Sequence, residues 1–238
     1  KEKYFTYLRN VRKSIELFRE NNIPLQAEIA VLQQQYGQIT GAMSVEINGQ
    51  QYTLQQAAKF LESHDRNLRE EVYHKIANRR ATDEESLNNL YTELIKLRHQ
   101  IALNTGFKNY RDFKHEELGR FDYSVKDCLD FHEAVKQHAV PLIREHDRTR
   151  KQKLKLDDYR PWDTSVDDEG KEPLKPFSNG KELTEKTITC FNKIDPFFGE
   201  CIKVMDDMKR LDLESRIGKR SEEHTSELQS PCNLVCRL

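Results

Sequence analysis

The residues best suited to chemistry are His115 and Glu116, in the run HEELG from His115 to Gly119. A helical HExxH would put two imidazoles on one face to hold Zn²⁺, with the glutamate as general base. Here Gly119 takes the place of the second imidazole, so the pair reads as an ordinary helix end. Glu71 and His74 form half of another arrangement, the ExxH pair of helical di-metal carboxylate proteins. That chemistry needs a second ExxH and two more glutamates, and no second ExxH occurs up to Lys219. Glu71 and His74 therefore read as a solvated helix face. His132 and His138 are six residues apart and do not share one helix face. The basic run Arg144, Arg148, Arg150, Lys151, Lys153 and Lys155 is flanked by Glu145, Asp147, Asp157 and Asp158, which suits a solvated helix end better than a nucleic-acid footprint. No GxxxxGK[ST] and no GxSxG appears. No residue of this sequence is assigned a catalytic, cofactor-binding or metal-ligating role.

The elements that would position such residues are mostly helices. Tyr4, Leu8, Val11, Ile15 and Phe18 mark an apolar stripe on a helix over about residues 2–19, broken by Asn21, Asn22 and Pro24. A second helix carries Ile29, Leu32 and Tyr36. The period then changes: Val45 and Ile47 precede Asn48-Gly49, with Tyr52 and Leu54 beyond. This is the signal for a tight β-hairpin, because both turn residues tolerate positive φ. Thr53 with Gln56 forms a capping box, and Asp65 caps the next helix, which bears Leu68, Val72 and Ile76. A second capping box, Thr82 with Glu85, opens a long helix through Leu87, Leu90, Leu94, Leu97 and Ile101, with Gly106 as its C-cap. Ser124 caps a helix with Leu129, Val135 and Leu142, which Pro141 should kink or interrupt. From Leu156 to Gly180 the chain reads as a long irregular connection holding the lone tryptophan, Trp162; such loops are usually functional or bridge domains. Thr184 starts a last helical region, interrupted at Pro196, with Ile202, Met205 and Met208 beyond.

Composition agrees with a mostly α fold. Hydrophobic residues make up 36% and charged residues 33% of 238, and the formal net charge is −1, so nothing advertises nucleic acid or a membrane surface. No apolar run is long enough to span a bilayer. Cys128, Cys190 and Cys201 are scattered and form no CxxC, which suits reduced thiols in a cytoplasmic protein.

The end of the chain reads differently. Arg220–Ser230, RSEEHTSELQS, matches residue for residue a translated adapter of the kind used in short-read DNA libraries. Asn233–Leu238, NLVCRL, matches the later part of the same adapter, and Pro231 and Cys232 fall where its index would lie. Residues 220–238 are therefore read as a non-native tail, with native coding ending near Lys219. The opening at Lys1, inside a helix and without Met, reads as a second cut.

Three stretches together resemble one family. GFKNYRDFKHEELGRFDYS (Gly106 to Ser124), YRPWD (Tyr159 to Asp163) and LDLESRIGK (Leu211 to Lys219) resemble oligoendopeptidase F, of the thimet-oligopeptidase-like zinc metallopeptidases. The resemblance implies a mostly helical, clam-shaped enzyme that hydrolyses short peptides in a deep channel. It divides the chain into an N-terminal helical domain, 1–80, and the front of a catalytic metallopeptidase domain, 81–219. It also implies Zn²⁺ in the intact enzyme, held by an HExxH helix and a later glutamate that would follow LDLESRIGK. None of those ligands maps onto a residue present, so the fragment is expected to bind no zinc and to be inactive. The alternative is a non-catalytic helical scaffold or interaction protein.

Overall fold

The computed structural model describes residues 2–213; the adapter-like stretch 220–238 lies outside them. In chain order the elements are α1 (Phe5–Leu17), α2 (Asn22–Gly41), β1 (Ser44–Ile47), β2 (Gln50–Thr53), α3 (Leu54–Ala58), α4 (Arg66–Thr82), α5 (Glu84–Thr105), α6 (Tyr110–Glu117), α7 (Val125–Ala134), α8 (Val140–Lys153), α9 (Gly180–Asn192) and α10 (Pro196–Asp207). Short 3₁₀ turns lie at Glu2–Tyr4, Lys59–Glu62 and Pro161–Asp163, and a π-helical stretch, Val135–Ala139, joins α7 to α8. Helix dominates, and the one sheet among the described residues is an antiparallel hairpin. The described residues divide into two units, 2–37 with 83–158 and 38–82 with 159–213.

In the first unit, Ile101 and Ala102 of α5 and Phe113 of α6 are buried together, with Leu17, Leu25, Ile29, Phe107 and Tyr110 packed around them. A polar stitch lies beside this cluster. Asn22, at the start of α2, donates to the Ile101 carbonyl at 3.2 Å and to Thr105 Oγ1 at 3.1 Å, and accepts from Asn104 at 2.8 Å. Gly106 ends α5 at φ 93°, a left-handed cap that a side chain would strain. The apolar stripe on α1 does not form this core. Tyr4, Leu8, Val11, Ile15 and Phe18 are all exposed, while Arg9, Lys13 and Leu17 on the other side are half-buried. Periodicity located the helix, but a stripe says only that a face can be covered, not that it is.

Pro141 acts as expected. It sits in the first turn of α8, and its ring opposes the carbonyl four residues back, at Gln137. That carbonyl lies in the π-helical stretch, where the wider turn relieves the clash. Ser124 caps α7 through a full capping box with Asp127.

In the second unit, Asn48 and Gly49 take φ of 52° and 77°, the two-residue turn expected of Asn-Gly, and Ile47 pairs with Gln50. Val45 and Ile47 alternate inward and join Met43, Leu54, Ala57, Val72 and Ile76 in the apolar interior. Thr53 and Gln56 form the capping box in both directions, at 3.2 and 3.0 Å. Asp65 accepts from the amides of Asn67 and Leu68. Thr82 does not form the expected second capping box: it is the last residue of α4, and its hydroxyl donates to the Asn78 carbonyl at 3.0 Å. A single residue, Asp83, separates α4 from α5, so Thr82 has no extended backbone from which to cap. α9 likewise begins earlier than Thr184. Asn179 caps it by accepting from Glu182 N at 2.9 Å, and the Thr184 hydroxyl turns back to the Gly180 carbonyl.

Candidate functional site

His115 and Glu116 lie on the last turn of α6, in the first unit. The imidazole meets Tyr123 edge-on, with ring centroids 5.6 Å apart. Glu116 is taken by an ion pair across to α1, with Lys13 Nζ 2.9 Å from Oε2. Lys13 also reaches Glu16 at 2.8 Å, and the hydrogen bonds from its ammonium to Glu16 and then to Glu116 raise its pKa above the usual lysine value. The pair forms one wall of a cleft of about 340 Å³, with Leu17, Phe18, Phe113 and Phe121 as apolar lining and Asn10 and Asn22 as polar lining. A carboxylate already held by an ammonium is a poor metal ligand, and Gly119 supplies no second imidazole.

Glu71 and His74 are on α4 in the second unit. Glu71 pairs with Lys75 at 2.7 Å, one turn on, and exposed His74 lies against the Trp162 ring at 5.3 Å. His132 on α7 and His138 in the π-helical stretch are exposed, and Arg144, Arg148, Lys153 and Lys155 face solvent on or just past α8. Among the described residues no group of three or more His, Cys, Asp or Glu side chains could hold a metal ion. Cys128, Cys190 and Cys201 are free thiols.

A buried charge cluster lies apart from all of these candidates. Asp163, in the 3₁₀ turn after Tyr159, is 0% exposed. Arg66 approaches it in bidentate fashion, Nε to Oδ1 at 3.1 Å and Nη2 to Oδ2 at 3.0 Å. Arg69 adds Nη2 to Oδ1 at 2.8 Å, and the Arg160 amide donates to Oδ2 at 3.0 Å. Arg69 is 3% exposed and spends its other donors on the carbonyls of Trp162, Ser63 and His64. Burial pushes the Asp163 carboxyl up, but the hydrogen bonds from Arg66, Arg69 and the Arg160 amide outweigh it and hold it below the usual carboxylate range. A signal was present: Arg66 and Arg69 are three apart, so they share one helix face ready to grip a planar anion. What was missing was the partner, which lies 94 residues on from Arg69.

With this geometry in place, the relationship to known proteins is clear. The sequence profile of peptidase family M3 matches residues 59–231. The chain belongs to peptidase family M3. The match covers α4 through α10 and runs on into the adapter-like stretch. No curated protein sequence matches the chain. Among solved structures, PZ peptidase A with an inhibitor shares the M3 chain's fold at a TM-score of 0.83 and 21% identity, over 90% of this chain and 38% of its own. A structure described as an oligoendopeptidase F gives 0.83 and 22% over the same shares. An oligoendopeptidase F from Bacillus anthracis gives 0.82 and 20%, over 90% of this chain and 39% of its own. At such identities these likenesses speak for the fold. The M3 chain thus spans about two fifths of the length of these neighbours. No helix among its described residues is long and apolar enough to cross a membrane.

Proposed function

We propose that this chain is part of a zinc oligopeptidase that hydrolyses short peptides. Its helices form the N-terminal helical domain, residues 1–80, and the front of the catalytic domain, residues 81–219. The observation that carries this reading is the M3 profile match over residues 59–231, supported by the fold shared with oligoendopeptidase F over 90% of the chain. The described residues do not fit Zn²⁺: no suitable cluster exists among them, and Glu116 is committed to Lys13. In this reading the metal is held elsewhere in the intact protein, and the chain of 238 residues neither binds zinc tightly nor cleaves peptides. A cytoplasmic setting belongs to the same reading and is supported by the three free thiols.

The test begins with source DNA amplified across the Lys219 codon. A continuation into HExxH with a later glutamate is expected, and the protein expressed from it should cleave a fluorogenic short peptide in a chelator-sensitive way. The shorter chain should show neither turnover nor stoichiometric zinc after dialysis. A continuation lacking HExxH, or turnover indifferent to chelator, defeats the proposal. Codons for RSEEHTSELQS in the genome itself would defeat the adapter reading alone.

A further inference from the structure

The Asp163 cluster does more than neutralise a buried charge. It lies where the chain re-enters the second unit at Tyr159, after α8 has ended with Lys155 in a left-handed conformation at φ 54°. Within residues 159–166, a strap, the 3₁₀ turn Pro161–Asp163 lies on α4. Their apolar anchors are modest: Val166 is buried, and the Trp162 ring rests at 5.4 Å from Tyr73 and 5.3 Å from His74. Beyond Val166 the connection to Asn179 has no helix or strand, and Leu174 near its middle is 93% exposed. The Asp163 carboxylate ties this segment to α4 by accepting from both Arg66 and Arg69, while the Arg160 amide holds it from within the strap.

The body beneath the strap has an interior of its own. Met43, Val45, Ile47, Leu54, Ala57, Val72 and Ile76 come from one contiguous stretch, and the hairpin, α3 and α4 pack on one another within it. We propose that Asp163 is a latch that fastens residues 159–166 to α4, and that this strap comes away as a unit while the hairpin, α3 and α4 stay folded. The reason is an asymmetry of cost. Removing one partner of a buried ion pair leaves the other charge buried and unpaired, which is strongly unfavourable. The strap escapes that cost by opening to water, which uncovers Val166 and the Trp162 ring but leaves the interior beneath closed. The latch thereby holds the residues that follow one of the crossings between units, at 158/159.

Hydrogen–deuterium exchange on the full chain tests this with Asp163→Asn and Arg66→Ala. Arg66 is 35% exposed and shares the carboxylate with Arg69, so its loss is the milder change. In Asp163→Asn, amides of residues 160–166 should exchange roughly a hundredfold faster, while those of residues 44–58 and 68–80 keep wild-type rates. Arg66→Ala should give the same pattern with a smaller factor. Equal acceleration in the strap and in residues 44–80, or failure of Asp163→Asn to fold together with such acceleration in Arg66→Ala, would show that the cluster belongs to the core and overturn the latch. Unchanged strap rates in both variants would overturn it as well.

Discussion

Glu182 shows what one side chain contributes at a helix entry. Its carboxylate accepts from the Ser178 amide at 2.7 Å and from the Ser178 hydroxyl at 2.5 Å, and it pairs with Lys186 at 2.6 Å. The hydrogen bond from Lys186, followed by those from Ser178, draws its pKa down from 4.5 to about 2. A carboxylate whose pKa is lower in the folded than in the unfolded chain stabilises fully above the unfolded value, and loses that contribution as pH falls through the folded one. The Glu182 contribution to α9 should therefore be complete above about pH 4.5 and fade towards pH 2. An NMR titration of the side-chain carboxyl checks this: a midpoint near 2 is expected, and a midpoint above 4 contradicts the Ser178–Lys186 geometry. Asp163 follows the same sign, since its pKa is also lowered. The strap should stay fastened in mild acid and loosen only below the ordinary aspartate range.

At the scale of elements, Asn22 ties the start of α2 to the end of α5 with three side-chain hydrogen bonds. Asn22→Ala leaves buried partners unsatisfied and should destabilise the first unit by about 1–3 kcal/mol in a denaturant titration. Pro141→Ala restores an amide donor and removes the ring from the Gln137 carbonyl. The π-helical stretch 135–139 should then relax to α, read as amide–carbonyl couplings across hydrogen bonds moving from the fifth residue back to the fourth. Much at this scale was legible because its causes are local. Asn48-Gly49, the Thr53–Gln56 box, Asp65, Gly106, Ser124 and Pro141 each act through a few neighbouring backbone groups. Thr82 misled because its hydroxyl had two local options and took the Asn78 carbonyl. The Asp163 cluster stayed hidden because its partners are distant in sequence, and the HEELG run could be set aside only because Gly119 is visible in the sequence itself.

The whole molecule leaves much apolar surface uncovered. α1 exposes Tyr7 and Ile15, α7 and α8 expose Phe131 and Leu142, and α10 exposes Phe197 and Val204. Where such residues adjoin, as Leu142 and Ile143 do on α8, they favour association. The chain should bind an apolar dye in its folded state and self-associate with rising concentration. Leu142→Lys with Ile143→Lys should reduce both effects without lowering the melting temperature, because neither residue is buried. A melting temperature that falls by several degrees would mean that this face is packed in solution.

The chain has one tryptophan, and it sits against α4 at the strap. Its emission is therefore a local optical probe. Red-edge excitation would follow the environment beside Tyr73 and His74 and be nearly blind to α5 and α6. If the strap loosens before the rest melts, fluorescence and far-ultraviolet circular dichroism would give different midpoints for the same sample. An experimenter fitting the fluorescence alone would assign the stability of one joint to the entire protein.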